Sequence, residues 1–265
     1  MSQSYAKDQV IIITGASKGI GLGAAQALHA RGAKVALIAR DRAKLDQAVA
    51  ALGAERAMGV AADVCNKAAL VAAFGQVARR WGRIDGLINN VGFQFARRIE
   101  ASAEDEARRI VDLNLFSVLF GCQAAIPHLR QAGGGRIVNI SSATVRHDNE
   151  FSHLGLYSAS KAAVEHLSKD LRHELKADKI MVTVFSPGAV ATGSIANFDP
   201  AAAGEAMQDW LTKGPKWDGV TQPEVVGEAI AACFELPPGV AVEFIEVRPN
   251  MPMPKMLESE MKQEG

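Results

Sequence analysis

The chain has 265 residues, 48% of them hydrophobic, enough for one large α/β core or two small ones. Its 29 basic and 29 acidic residues cancel, which argues against an electrostatic nucleic-acid binder and fits a protein with surface buried in an oligomer. The three cysteines, Cys65, Cys122 and Cys233, lack metal-ligand spacing, so no metal site is expected and they read as free thiols of a reducing, cytoplasmic compartment.

The polar start, Met1 to Gln9, has no signal-peptide core. No uninterrupted apolar run approaches the ~20 residues of a membrane span. The first strand is predicted over 9–14, where Val10-Ile11-Ile12-Ile13 reads as a buried parallel strand. It runs into Thr14-Gly15-Ala16-Ser17-Lys18-Gly19-Ile20-Gly21, a glycine turn that opens a helix over 19–30. Further strands are predicted near 34–39, 57–62, 84–88, 136–141, 180–186 and 242–247. Further helices are predicted near 41–51, 67–80, 102–131, 157–176 and 222–235. Asn66 reads as an N-cap, and Ser102-x-x-Asp105 approximates a capping box. The stretch from Leu113 to Gly121 is apolar nearly all round and should be buried on more than one side. The tail 255–265 is charged and reads as frayed. This alternation continues from 1 to 265 without a linker. It implies a single α/β domain, a doubly wound parallel sheet of about seven strands with helices on both faces. Ligands of such sheets bind beyond the carboxyl ends of the strands.

Two clusters carry chemistry. A strand, a glycine turn and a helix N-terminus together make a diphosphate site. Downstream, Tyr157 and Lys161 lie four apart on one helical face, with Ser141-Ser142 at the end of an earlier strand. A phenol with a pKa near 10 is a poor acid or base at neutrality, and a neighbouring ammonium favours its phenolate. The pair therefore reads as a general acid–base device.

The order Thr14-Gly15-x-x-x-Gly19-x-Gly21, Asp63-Val64, Asn89-Asn90-Val91-Gly92, Asn114, Ser142, Tyr157-x-x-x-Lys161 and Pro187-Gly188 with Thr192 resembles the short-chain dehydrogenase/reductase family over nearly the whole chain. The resemblance implies a Rossmann-like fold and an NADP(H)-dependent oxidoreductase that interconverts a secondary alcohol and a ketone by hydride transfer. It makes Tyr157 the acid–base, assigns Lys161 to lowering its pKa and bonding the nicotinamide ribose, Ser142 to holding the substrate oxygen, and Asn114 to a relay water. Asn114 also reads as a buried kink residue. The resemblance places Gly15, Ser17, Lys18, Gly19 and Ile20 on the diphosphate, and Asp63 and Val64 at the adenine. Asn90, Gly92, Pro187, Gly188, Val190 and Thr192 then line the nicotinamide end. Arg40 stands where an acidic residue would select NAD; with Lys18 it points to NADP. Asp41 beside it blurs that signal or only caps the next helix. Val91 replaces the family's usual alanine, and Ser186 stands where an asparagine is common.

The substrate is less legible. The segment 193–220, with Ile195, Phe198, Met207, Trp210, Leu211 and Trp217, reads either as an apolar lid or as an amphipathic helix packed on the domain. Phe93 and Phe95 either wall the same pocket or fill core. Arg146, His147, Asp148, Asn149 and His153 either touch a polar substrate group or form a solvated loop. A hydrophobic or aromatic small-molecule substrate is expected. Many acyl-carrier reductases of the family that the chain resembles end in Gly-Gly after the last strand, whereas Glu243 to Asn250 lacks that pair; the resemblance therefore ranks 3-oxoacyl-thioester reduction second, beside 3-hydroxy acid dehydrogenation. A homodimer or homotetramer is expected, with neither nucleic acid nor membrane as partner.

Overall fold

A computed structural model describes residues 4–147, 151–193, 198–212 and 219–250. Seven strands form one sheet: β1 (Val10–Thr14), β2 (Lys34–Ala39), β3 (Ala57–Ala61), β4 (Gly86–Asn89), β5 (Gly135–Ile140), β6 (Ile180–Pro187) and β7 (Phe244–Val247). The order is β3-β2-β1-β4-β5-β6-β7 and every pairing is parallel. Strand direction of winding reverses between β1 and β4, so a crevice opens there, beyond their carboxyl ends.

Side chains alternate across each strand. Ile11 and Ile13 of β1 face one layer with α1 (Gly19–Ala30), α2 (Arg42–Leu52) and α8 (Pro223–Ala232). Val10 and Ile12 face the other, with α3 (Lys67–Trp81), α5 (Ser117–Gln131) and α6 (Gly155–Glu174). A smaller cluster joins Phe95, Ala96, Ile110 and Leu154 to Phe198, Ala206 and Trp210. It docks α4 (Glu104–Val111) and α7 (Pro200–Thr212) over the carboxyl-end side.

The long helix differs from its sequence reading in two ways. It begins at Glu104 with Ala103 at the cap, while Ser102 closes a short 3₁₀ turn and its hydroxyl donates to Arg98 O, 3.2 Å. The Ser102 capping box is thus not formed. Asn66 does cap α3, its side chain accepting from Ala69 N at 3.0 Å. The helix also widens into a π turn over Asp112–Phe116, around Asn114, before continuing as α5.

Taken whole, Glu104–Gln131 is long and apolar enough by length and composition to cross a membrane, which counting only uninterrupted apolar residues missed. Here Val118, Cys122, Ala125 and Leu129 pack into the core, the same composition serving a buried helix. The 113–121 stretch keeps one open side, with Phe116 41% exposed and stacked on Phe120.

The tightest helix contact is α1 on α8. A Cβ placed on Gly227 would sit 2.2 Å from Gly23 C and 2.6 Å from Ala24 N, both backbone atoms that cannot swing aside. Gly227→Ala is therefore expected to destabilise by about 2 kcal/mol or more, read as a lowered thermal midpoint. An unchanged midpoint would contradict this packing.

Candidate active site

The glycine turn leaves β1 where Gly15 N donates to Ile38 O at 2.7 Å. Gly15 and Gly19 have φ of 67° and 58°, left-handed values that favour glycine. Helix α1 starts at Lys18 without a side-chain cap, so its first-turn N–H groups and positive dipole end face an incoming anion. The end of β4 is laced to this turn. Asn90 N donates to Thr14 Oγ1 at 3.0 Å, and Asn90 Nδ2 to Thr14 O at 2.9 Å. The chain after β6 folds back above it, with Thr192 N bonded to Val190 O at 2.7 Å and the Thr192 methyl 3.5 Å from where a Gly19 Cβ would stand. Gly188 N is held by Val247 O at 2.8 Å. Ser17 and Ile20 are half-buried in the turn and Lys18 is exposed.

On the far side of β1, Arg40 and Asp63 line a cleft of about 360 Å³ with Cys65, Asp105, Arg109 and Asp112. Asp41 is not in that cleft. It caps α2, accepting from Lys44 N at 3.1 Å and pairing with Lys44 Nζ at 3.0 Å. Those hydrogen bonds from Lys44 hold its carboxyl below the usual range. The sign at the end of β2 is thus set by Arg40. Asp63 also closes its own turn, accepting from Cys65 N at 3.0 Å. The Val64 side chain is buried in the core, so only its backbone is available to a ligand.

Ser142, Tyr157, Lys161 and Asn114 come together where β5, α6 and the π turn meet. Lys161 is 2% exposed, and its Nζ donates to Ile140 O at 2.8 Å. Asn114 is fully buried. Its Oδ1 accepts from Phe93 N (2.7 Å), and its Nδ2 donates to Phe93 O (2.9 Å) and Ser160 Oγ (2.9 Å). The buried-kink reading of Asn114 holds: it sits in the π turn, which aims its amide at the loop after β4. A Cβ on Gly92 would stand 3.4 Å from Lys161 Nζ and 3.7 Å from Asn114 Oδ1, so the missing side chain keeps a hollow in front of that ammonium.

Burial pushes the Tyr157 phenol up, opposed by its hydrogen bond with Ser142. Burial likewise pushes Lys161 down, to about 8. The expectation was a phenol drawn below its ordinary value by the ammonium; burial raises it instead, and the group that opposes the rise is Ser142.

Several groups went unread in the sequence. Glu165, buried and four residues beyond Lys161, accepts from Ser141 Oγ and Arg146 Nη1, each at 2.7 Å. A carboxylate four residues beyond Lys161, on the same helical face, was the available signal. Glu246 on β7 takes His147 Nε2 at 2.7 Å and Ser186 Oγ at 3.2 Å. Arg146, which also stacks on Phe244, and His147 therefore brace the loop after Ser142. His153 bonds Ser152 Oγ at 2.8 Å and faces Glu205 of α7. Asp148, Asn149, Ile195 and Trp217 lie outside the described residues. Of the two readings of 193–220, α7 shows the packed helix: Trp210 is buried, edge-on to Phe151, in a cluster that Tyr157, Phe93 and Phe95 share.

A family model described as short chain dehydrogenase matches residues 9–202. A protein of Methylorubrum extorquens, named as an uncharacterized oxidoreductase, is 35% identical over 231 residues, 86% of this chain and 91% of its own. One of the same description from Staphylococcus aureus (strain USA300) is 31% identical over 242 residues, 91% of this chain and 97% of its own. Among solved structures, an alcohol dehydrogenase from the archaeon Thermococcus sibiricus, complexed with 5-hydroxy-NADP, superposes with a TM-score of 0.79 at 25% identity over 94% of this chain and 100% of that one. A 3-ketoacyl-(acyl-carrier-protein) reductase from Brucella melitensis, complexed with NADH, gives 0.79 at 28% identity over 92% and 98%. Matched along most of its length by that model and by these relatives, the chain belongs to the short-chain dehydrogenase family of oxidoreductases.

Proposed function

We propose that the protein is an NADP(H)-dependent alcohol/carbonyl oxidoreductase acting on a secondary alcohol or ketone with a hydrophobic or aromatic body. The observation that carries this reading is the gathering of Tyr157, Ser142 and Lys161 on the same sheet edge as the uncapped start of α1. The residues present fit a nicotinamide dinucleotide. Gly15, Ser17, Lys18, Gly19 and Ile20 suit its diphosphate, Asp63 and Val64 its adenine, and Arg40 with Lys18 a 2′-phosphate. The hollow at Gly92 lies open to a ribose or nicotinamide beside Lys161, with Asn90, Pro187, Gly188, Val190 and Thr192 around it. When bound, that cofactor supplies or accepts the hydride.

The protein's own part is proton handling and orientation. Tyr157 gives its proton to the carbonyl oxygen during reduction and takes one during oxidation. Ser142 donates to the same oxygen as charge develops on it. Lys161 spends one of its three protons on Ile140 O, leaving two for the ribose hydroxyls and the phenol. The Asn114 amide gives both protons to Phe93 O and Ser160 Oγ and accepts once, from Phe93 N, which leaves the second lone pair of Oδ1 for a relay water. Phe93, Phe95, Phe151 and Trp210 bring an aromatic wall to the Tyr157 side, which favours an apolar substrate over a sugar.

The test is oxidation of NADPH and NADH against a panel of aromatic ketones, 3-oxo acids and 3-oxoacyl thioesters. The second reading, thioester reduction, draws on the likeness to the Brucella protein; preference for the thioesters would establish it. Turnover with none of them would count against the whole assignment. Arg40→Asp is expected to raise KM for NADPH by ~10- to 100-fold while NADH gains or holds, since it removes a forked donor and adds a like charge facing the phosphate. Unchanged cofactor preference would contradict the role of Arg40.

We also propose a homodimer or homotetramer formed through α5 and α6, where Phe116 and Ala162 are exposed. Leu171, one of the small and apolar residues that the sequence of α6 offers for such pairing along with Ala162, Ala163 and Leu167, faces the core. A monomer by light scattering would refute it.

A further inference from the structure

We propose that Thr144 is a positioning residue that commits the Ser142 hydroxyl to donating into the cleft. The inference rests on the reading of Ser142 as the group that holds the substrate oxygen. A serine hydroxyl has one proton and two lone pairs. Thr144 N donates to Ser142 Oγ at 3.3 Å, and Thr144 Oγ1 stands 3.0 Å from the same atom, placed to donate into its second lone pair. Both acceptor directions of Ser142 are then filled from one side. What remains is its proton, which is aimed at Tyr157 and at whatever oxygen lies between them.

The alternative arrangement shows why this matters. Two neighbouring hydroxyls can bond in either sense. If Tyr157 donated to Ser142, its proton would be tied up and turned away from a carbonyl oxygen. Filling the Ser142 lone pairs removes that option, so both hydroxyls donate toward the same point. The hydrogen bond from Ser142 is also what opposes the rise of the Tyr157 pKa caused by burial.

The turn is built to hold Thr144 there. Val145 N bonds Ser142 O at 3.1 Å, and Arg146 N and His147 N both bond Ala143 O at 3.0 Å. Glu165 grips the turn from both flanks, through Ser141 and Arg146. Thr144 itself is half-buried. Nothing in the hydride chemistry needs a hydroxyl at this position, and its hydrogen bonds end on Ser142.

The experiment is a double-mutant cycle on ketone reduction with NADPH, in steady-state and single-turnover form. Thr144→Val removes the hydroxyl and keeps the shape; kcat should fall roughly tenfold, with NADPH affinity by fluorescence and the far-ultraviolet circular dichroism unchanged. Thr144→Ser should recover most of the loss. In a Ser142→Ala background, where no oxygen remains to be oriented, Thr144→Val should cost nothing further. The same fold-loss in both backgrounds, or parent-like kcat in Thr144→Val, would overturn the proposal while leaving the assigned chemistry standing. Full activity in Ser142→Ala alone would overturn both. Thr144→Ala, which also lacks the donor, takes the place of the valine variant if that one does not fold.

Discussion

Tyr157→Phe is expected to lower kcat by about 10²- to 10⁴-fold while the protein still folds and still binds NADPH. The substitution deletes one oxygen and leaves the ring. The ring packs beside the cluster of Phe95, Leu154 and Trp210, so the apolar contacts survive. The oxygen's protein partner is Ser142, a hydroxyl that keeps its two bonds from Thr144 after the change. No buried charge is left unpaired, so the stability change should stay within about 1 kcal/mol. Turnover, binding by NADPH fluorescence and thermal unfolding separate these effects. Normal turnover in Tyr157→Phe would remove Tyr157 from the chemistry.

Lys161→Met has an equally large effect on rate and an unusual one on stability. Turnover should fall by at least ~10²-fold, because the variant loses the ammonium one helical turn from the phenol, which we propose also bonds the ribose. The folded protein should nonetheless be about as stable at neutral pH as its parent. Burial alone lowers the Lys161 pKa from 10.5 to about 8. Below pH 8 both folded and unfolded states hold the proton, and the folded state bears the full cost of a buried ammonium, on the order of 3 kcal/mol. The methionine escapes that cost but leaves the Ile140 carbonyl without its donor, a loss of about 1–3 kcal/mol. As pH rises from 8 towards 10.5 the folded parent sheds the proton that its unfolded chain keeps, so its stability climbs relative to the variant. Urea unfolding of both proteins at pH 7 and pH 9.5 reads this directly. A variant several kcal/mol weaker at both values would make Lys161 a structural residue.

This trade of stability for a poised charge explains where the sequence was transparent and where it was not. The glycine turn, the strand ends and Tyr157 with Lys161 were legible because each depends on local chemistry: a φ that favours glycine, an unbroken apolar run in β1, a spacing of four on α6. Asn66 was legible for the same reason, its cap reaching only to Ala69. Ser102 misled because an equally local competitor, the Arg98 carbonyl, took its hydroxyl and moved the helix start. The π turn at Asn114 could not be read from periodicity, since its extra residue is stabilised by Phe93 and Ser160 from distant segments. Glu165 and Glu246 were hidden likewise: their partners Arg146 and His147 are 19 and 99 residues away in sequence. With their carboxylates out of view, Arg146 and His147 read as substrate contacts or as a solvated loop, and they are neither: both are paired within the protein. The direction of the Tyr157 shift was misjudged because it depends on how deeply the fold buries the phenol.

The account stands or falls on whether a hydride crosses the cleft between a nicotinamide and a carbon bonded to the oxygen that Tyr157 and Ser142 share. NADPH deuterated at C4, in each of its two stereoisomers, should be incubated with the responsive ketone and the product alcohol weighed by mass spectrometry. One isomer should deliver deuterium to the carbinol carbon and the other should not, with transfer lost in Tyr157→Phe. Product free of deuterium from both isomers, or equal labelling from each, would contradict a single fixed geometry of cofactor and substrate in this site.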